Sequence, residues 1–170
     1  MRHLFLKSVP NEESMVQFGR LLGSSLCSYG FGAESKAILI YLDGDLGAGK
    51  TTICRGFLHA FGYQGVVKSP TYTLVESYNQ SLIKIHHFDL YRLGSAEELD
   101  FIGIRDYFHK GSCCLVEWPD RGLGVMPAAD INISITATYQ GRDVKIYSQT
   151  KIGDFLIADM ELGKGDKLGL

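Results

Sequence analysis

The apolar residues of this chain follow two patterns, which predict two kinds of β-strand. Residues 37–42 and 113–116 are continuous apolar runs. Such runs are typical of strands that are buried on both faces of a parallel sheet. Residues 130–136 alternate strictly between polar side chains and isoleucine, and residues 143–148 repeat the alternation after Gln140-Gly141. Alternation predicts half-buried strands, and we expect the first of these two to be antiparallel.

Cap and turn residues predict where other elements begin. A hairpin is expected around Asn79-Gln80-Ser81, with strands at 74–78 and 82–88. Asn11 can cap a first helix, because its side chain can accept from a backbone N–H of the first turn. The apolar residues of that helix recur at helical spacing and share one face: Met15, Phe18, Leu22 and Leu26.

Two more helices are predicted further along the chain. Residues 51–61 can form a helix that Gly62 ends as a C-terminal cap. Ser95-Ala96-Glu97-Glu98 has the form of a capping box, so a third helix is expected to begin there. That helix is expected to extend towards Gly111, with Gly103 dividing it into two pieces.

A glycine-rich segment at 44–51 connects the first apolar run to the helix at 51–61. It has a glycine, four free positions and Gly-Lys-Thr, which is the Walker A pattern. Glycines allow backbone N–H groups to surround a phosphate chain, and the positive end of the following helix favours an anion. In such loops the lysine reaches the β- and γ-phosphates, and the threonine binds Mg²⁺. The residues expected to contact a nucleotide here are Asp45, Leu46, Gly47, Ala48, Gly49, Lys50, Thr51 and Thr52.

The order of strand, loop and helix is the context in which a phosphate-binding loop occurs. We therefore predict an α/β, P-loop NTPase-like fold with three layers. Its central sheet is expected to be mixed and mostly parallel, with antiparallel strands at the edge. A length of 170 residues suits a single domain at 1–160, and the glycine-rich segment 161–170 is expected to be a mobile tail.

Composition narrows the class of protein. A net charge of −2 argues against a general nucleic-acid-binding surface. No apolar run approaches the roughly 20 residues of a membrane span, and residues 1–7 lack the apolar segment of a signal peptide. The four cysteines have no CxxC spacing, so we interpret them as small buried residues of a reduced, cytoplasmic protein.

Two carboxylates follow predicted strands. Asp89 ends the strand at 82–88, and Glu117 follows the run at 113–116, in the Walker B position where aspartate is more usual. Because ligands lie outside the carboxyl ends of parallel strands, both side chains are expected beside the loop. One would bind Mg²⁺ and one would orient water, and the sequence leaves open which does which. With Lys50 they form the predicted catalytic group.

Other side chains are weaker candidates. His86 and His87 should point to opposite faces of a strand, which argues against a shared metal ion. The hydroxyl-rich segment 69–74 suits either a γ-phosphate sensor or an ordinary polar strand entry. The sequence leaves open whether Trp118 packs in the core or faces a partner. It also leaves open whether Arg142 is a surface charge or contacts the nucleotide.

Four ordered blocks of the chain resemble the TsaE family, the small ATPases of bacterial tRNA threonylcarbamoyladenosine synthesis. The blocks are residues 44–52, 69–74, 87–92 and 116–119, and Gly141-Arg142 extends the similarity. In the N-terminal turn, where the family is expected to have a threonine, this chain has Ser14-Met15. Four blocks in the family's order are far more specific than a Walker motif alone.

The resemblance implies roles and partners. ATP binding is implied for Lys50, Thr71, Arg142 and Glu12. Mg²⁺ binding is implied for Thr51 and Glu117. Hydrolysis is implied to need Asp89, and Trp118 is implied to contact a partner. The family acts with TsaB and TsaD, and TsaD transfers the threonylcarbamoyl group to adenosine in tRNA. A TsaE protein is expected to supply ATP hydrolysis that sustains this assembly and to reach tRNA only through the complex.

Other P-loop functions fit the sequence less well. A GTPase would have an Asn-Lys-x-Asp motif and an Asp-x-x-Gly switch, and Asp89-Leu90-Tyr91-Arg92 does not supply that switch. A small-molecule kinase would close an arginine-bearing lid, whereas the arginines here are scattered. A non-catalytic nucleotide-binding module would not need both Asp89 and Glu117. ATP hydrolysis is therefore the leading hypothesis, with a kinase or GTPase as the alternative.

Overall fold

The computed structural model describes residues 4–163, which form a seven-stranded sheet with helices on both faces. The strands are β1 (Leu4–Val9), β2 (Ile38–Gly44), β3 (Val75–Asn79), β4 (Lys84–Asp89), β5 (Ser112–Glu117), β6 (Ile131–Thr138) and β7 (Gly141–Ser148). The helices are α1 (Glu12–Ser28), α2 (Lys50–Ala60), α3 (Glu98–Phe101) and α4 (Lys151–Glu161), with 3₁₀ turns at Ile104–Tyr107 and Pro119–Gly122.

The strand order is β1-β7-β6-β2-β5-β4-β3. The four middle strands β6, β2, β5 and β4 are parallel neighbours. Antiparallel pairs complete both edges, β1 with β7 and β7 with β6 on one side and β3 with β4 on the other. The predicted α/β fold with a mixed, mostly parallel sheet is confirmed. β6 is antiparallel to β7, as expected, but it is also parallel to β2, because the chain crosses back over the sheet after β5.

Each face of the sheet has its own apolar core, which gives the fold its three layers. Helices α1, α2 and α4 cover one face, where Phe18, Phe57 and Leu156 are fully buried. The short helix α3 and the 3₁₀ turns cover the other face, with Leu99 and Ile104 fully buried. Consecutive residues of a strand belong to different cores, since side chains alternate between the two faces.

The predicted helix starts were correct in part. Asn11 Oδ1 accepts from the Ser14 N–H at 2.8 Å, which is the expected N-cap of α1. In the predicted capping box, Glu98 Oε1 accepts from the Ser95 N–H at 3.2 Å. The helix is nevertheless only one turn long, because Gly103 with φ +69° ends it and a 3₁₀ turn follows.

Two elements, β1 and α4, had no sequence prediction. β1 is an edge strand whose side chains are mostly exposed, so its apolar residues do not alternate with polar ones. Only the first positions of the predicted 161–170 tail are described, and residues 164–170 lie outside the described part of the chain. Within residues 4–163, no helix is long and apolar enough to cross a membrane.

Candidate nucleotide-binding site

The glycine-rich loop leads from the carboxyl end of β2 into α2. Gly47 and Gly49 have φ of +76° and +111°, which residues with a side chain rarely adopt. Gly49 is the N-cap of α2, and no side chain of residues 4–163 caps the start of this helix. The first N–H groups of a helix have no partner within it. The loop and the first turn of α2 therefore offer backbone donors and a positive helix end to an anion, which fits a phosphate chain.

Lys50 is buried at the base of this loop. Its Nζ donates to the backbone carbonyl of Asp45 at 3.1 Å and lies 3.9 Å from the centre of the Trp118 ring. Burial lowers the pKa of the Lys50 ammonium, while the carboxylates of Glu117 and Asp89 oppose that shift. The loop thus encloses a desolvated cation, which an anionic ligand would stabilise.

Glu117 lies at the carboxyl end of β5 and is held from two sides. Its Oε1 accepts from Thr51 Oγ1 at 2.7 Å and lies 2.8 Å from Nε2 of His87, a fully buried residue of β4. The Thr51 hydroxyl can donate to Glu117 while its lone pairs face a cation. Thr51 and Glu117 therefore present adjacent oxygen ligands of the kind that Mg²⁺ prefers.

Asp89 ends β4 directly beside Glu117, since the two are register partners in the parallel pair β4–β5. Asp89 Oδ1 accepts from the Tyr91 N–H at 2.9 Å. Its Oδ2 accepts from the Ser69 hydroxyl and, at 3.4 Å, from Thr71 Oγ1. One carboxylate therefore contacts the loop threonine, and its neighbour contacts the hydroxyl-rich segment.

A cavity of about 440 Å³ brings these groups together. The predicted residues that line it are Leu46, Gly47, Ala48, Gly49, Lys50, Thr51, Thr52, Thr71, Asp89, Glu117 and Trp118. Asp45 is exposed beside the cavity, and its backbone carbonyl holds Lys50. Asp89 and Glu117 are both more than nine-tenths buried. The cavity thus combines a cation, backbone donors and two carboxylates within one enclosure.

Arg142 and Glu12 lie on the other side of the loop. Together with Met15 they line a neighbouring cavity of about 330 Å³. Arg142 Nε donates to the Ala48 carbonyl at 3.0 Å and its Nη2 to the Gly47 carbonyl at 3.2 Å, so its guanidinium fixes the loop. Glu12 pairs with Arg55 at 2.6 Å. Direct contact of Arg142 and Glu12 with a nucleoside stays a prediction.

Trp118 is half-buried at the rim of the cavity. Its backbone has φ +58°, and its ring packs 4.9 Å from the ring of Tyr91 as well as against Lys50. These contacts make Trp118 a wall of the site. Contact with a partner stays a prediction for this residue.

Comparison with known proteins identifies the family. The family model described as "Threonylcarbamoyl adenosine biosynthesis protein TsaE" matches residues 9–144. The chain belongs to the TsaE family. It is 49% identical over 150 residues to the tRNA threonylcarbamoyladenosine biosynthesis protein TsaE of Haemophilus influenzae, covering 88% of this chain and 93% of that protein. The Bacillus subtilis TsaE is 35% identical over 116 residues, 68% of this chain and 71% of that protein.

The fold of this TsaE-family chain also matches a solved structure. A crystal structure of Bacillus subtilis YdiB superposes with a TM-score of 0.70 at 25% identity, covering 96% of this chain and 97% of that one. The three-layer arrangement and the mixed sheet are therefore shared with a protein whose structure was determined by experiment.

Sequence reasoning missed His87 and Ser69 as members of the site. His87 and Asp89 are two residues apart on β4, so they lie on the same face of the sheet. That spacing was a usable signal for His87. Ser69 was considered only as part of a polar segment, although its hydroxyl donates to Asp89. Its contact depends on how residues 69–74 fold over β4, which no local pattern indicates.

Proposed function

We propose that this chain is a Mg²⁺-dependent ATPase that serves tRNA threonylcarbamoyladenosine biosynthesis. The observation that carries the proposal is the pair Asp89 and Glu117, register partners at the ends of β4 and β5, with Glu117 2.7 Å from Thr51 of the phosphate loop. The family name and the names of the relatives support the pathway. The predicted alternatives, a kinase or GTPase, have no comparable support.

The chain's own residues divide the binding of ATP and Mg²⁺ between them. The backbone of the loop and Lys50 would hold the phosphates, with the buried ammonium moving from the carbonyls it now contacts to phosphate oxygens. Thr51 and Glu117 would hold Mg²⁺. Bound Mg²⁺ would neutralise charge on the phosphate oxygens during transfer of the γ-phosphoryl group to water.

Asp89 is the residue that we assign to the attacking water. Glu117 already contacts Thr51, whereas Asp89 contacts Ser69 and Thr71, on the side where the hydroxyl-rich segment covers the cavity. Asp89 would accept a hydrogen bond from the water and orient it, and Thr71 would lie near the γ-phosphate. Positioning and charge neutralisation, rather than covalent catalysis, therefore account for the reaction.

The role in the pathway would be energy coupling with TsaB and TsaD. Arg92 lines the mouth of the cavity, but its guanidinium lies 4.4 Å from the Tyr72 ring, and Tyr72 is 83% exposed. The chain alone therefore holds the Arg92 guanidinium over an exposed ring at the rim. We expect slow turnover by the isolated chain, and partners that complete or rearrange this rim would accelerate it.

The test measures phosphate release from ATP by the chain alone and with TsaB and TsaD, with GTP in parallel. We expect ATP to be hydrolysed faster in the presence of the partners, and Lys50→Ala to lose nucleotide binding or turnover. Equal rates with and without partners would contradict the coupling role. Unchanged hydrolysis by Lys50→Ala would contradict the assignment of the loop.

A further inference from the structure

Behind the carboxylate of Glu117 lies a second group of potential ligands. Cys54 of α2, His87 of β4 and Glu117 of β5 each offer one ligand atom, and these three atoms all lie within 4.8 Å of one another. Cys54 and His87 are completely buried, and Glu117 is 3% exposed. Glu117 and Thr51 also line the cavity of about 440 Å³, so these three side chains have access to solvent through that cavity. We call Cys54, His87 and Glu117 the buried triad.

His87 has one ring nitrogen beside Glu117 and one without a partner among residues 4–163. His87 Nε2 lies 2.8 Å from Glu117 Oε1, so the tautomer with its proton on Nε2 can donate to this carboxylate, and the tautomer with its proton on Nδ1 presents the Nε2 lone pair to an ion shared with Glu117. His87 Nδ1 is buried and has no hydrogen-bond partner among the residues that the structure describes. A buried polar atom without a partner is costly. No contact therefore fixes the tautomer of His87 from the Nδ1 side, and Nε2 is the nitrogen that can share an ion with Glu117.

The ligand types select the class of cation. Mg²⁺ prefers oxygen ligands, whereas a thiolate, an imidazole and a carboxylate suit Zn²⁺ and similar ions. With bonds of about 2.0–2.3 Å, the ligand atoms of a tetrahedral zinc site are roughly 3.5 Å apart. Movements of roughly an ångström would bring the three ligand atoms to that spacing. Three protein ligands leave a fourth position for water on the side of the cavity.

We propose that Cys54, His87 and Glu117 form a binding site for Zn²⁺ or a similar divalent cation behind the proposed magnesium site. On binding, the S–H bond of Cys54 breaks, its proton passes to water, and a zinc–sulfur bond forms without any change in oxidation state. Binding is therefore coupled to release of this proton.

The site has a consequence that rests on the proposed function. Glu117 now accepts from Thr51, and an ion in the buried triad would take this carboxylate as its own ligand. Zn²⁺ would then inhibit Mg²⁺-dependent hydrolysis by removing one of the two oxygen ligands that we assign to Mg²⁺. Cys54 takes no part in that hydrolysis, so a change at Cys54 would separate inhibition from activity.

The structure contains a rival location for the same ion. His86 Nε2 and His109 Nε2 lie 3.3 Å apart on the opposite face of the sheet. The other ring nitrogen of His109 lies 2.9 Å from the Lys110 carbonyl, so an ion at this pair would bind through Nε2 and replace the hydrogen bond between the two Nε2 atoms. This pair supplies imidazole nitrogens but no thiolate, so the absorption spectrum of a bound metal ion would differ between the two locations.

The test titrates the untagged full chain with zinc sulfate against a chromophoric chelator. The variants are Cys54→Ser, Cys54→Ala and His109→Gln. Cys114→Ser is the matched control, because the Cys114 thiol is as buried as that of Cys54 but belongs to the other core. We expect one zinc ion per wild-type chain. The zinc affinity of both Cys54 variants should be at least about tenfold weaker, since losing a group that only hydrogen-bonds a metal ligand already weakens metal affinity by that much. Cys114→Ser and His109→Gln should bind like wild type. Circular dichroism confirms that each variant is folded.

Cobalt provides the second readout. Co²⁺ bound by the wild type should give a thiolate charge-transfer band that both Cys54 variants lack and Cys114→Ser retains. Absence of zinc binding by the wild type, unchanged binding in both Cys54 variants, or loss of binding in His109→Gln alone would overturn the proposal. None of these outcomes depends on ATP hydrolysis, so failure of the site and failure of the proposed function are distinguishable. If hydrolysis is observed, zinc should inhibit the wild type and not Cys54→Ser.

Discussion

Glu117 shows how a single side chain of this site is fixed by its neighbours. Thr51 donates to Glu117 Oε1 at 2.7 Å from one side, and His87 Nε2 lies 2.8 Å from the same oxygen on the other side. His87 contacts no part of the cavity, because it is completely buried behind the carboxylate. We therefore regard His87 as a positioning residue for Glu117.

A change at His87 should affect the use of Mg²⁺ more than the fold. His87→Leu removes the donor, so Glu117 loses one of the two contacts that orient it. We expect the Mg²⁺ concentration that gives half-maximal hydrolysis to rise at least about tenfold. His87→Gln keeps an N–H at a similar distance along the side chain and should restore most of the wild-type magnesium dependence. Magnesium dependence that is the same in His87→Leu and wild type would contradict the positioning role.

The residues of the site were predictable where a motif or a strand end identified them. Lys50 and Thr51 follow from the glycine pattern, and Asp89 and Glu117 follow from the rule that ligands lie at the carboxyl ends of parallel strands. Contacts made by side chains across the sheet were not predictable. The stacking of Trp118 on Lys50 and the attachment of Arg142 to the loop depend on tertiary packing, which no local pattern encodes.

At the scale of elements, α1 and α2 pack closely against each other at two glycines. A Cβ atom added at Gly56 of α2 would lie 2.0 Å from the Val16 carbonyl oxygen of α1. A Cβ atom added at Gly19 of α1 would lie 2.2 Å from the Ile53 carbonyl oxygen of α2. The two backbones are therefore in direct contact, and glycine is required where they cross.

Gly56→Ala should destabilise the protein because the added methyl group overlaps backbone that cannot move aside like a side chain. We expect a loss of about 1–3 kcal/mol in the free energy of unfolding, measured by urea denaturation. Gly32→Ala is the control, since a Cβ atom there would meet no heavy atom of the described residues within 4 Å. Its stability should stay within about 1 kcal/mol of wild type. A Gly56→Ala protein as stable as wild type would show that the two helices are not in fixed contact.

The elements themselves were predictable in proportion to their apolar patterns. Continuous apolar runs predicted β2 and β5 directly. The cap residue Asn11 predicted α1, and the adjoining glycine-rich motif predicted α2. β1 was missed because an edge strand with exposed side chains has no distinctive pattern. The parallel pairing of β6 with β2 was missed because alternation indicates one exposed face but does not identify the neighbouring strand.

The whole molecule assembles its site from four separate stretches of chain. The loop follows β2, and Asp89 and Glu117 end β4 and β5. Ser69 and Thr71 line the cavity from the segment before β3. Arg142, at the start of β7, also donates hydrogen bonds to backbone carbonyls of the loop. The mixed sheet brings these distant stretches together at the carboxyl ends of its parallel strands.

The central claim is that this site hydrolyses ATP through its paired carboxylates. The most direct test is the rate of phosphate release from Mg²⁺-ATP by wild type and Asp89→Asn, with nucleotide binding measured on the same samples. Asp120→Asn is the control, since Asp120 is exposed and lies outside the cavity. We expect Asp89→Asn to bind ATP like wild type and to lose about 100-fold or more in rate, while Asp120→Asn keeps the wild-type rate. Hydrolysis by Asp89→Asn at the wild-type rate, or no hydrolysis by wild type even with TsaB and TsaD present, would contradict the claim.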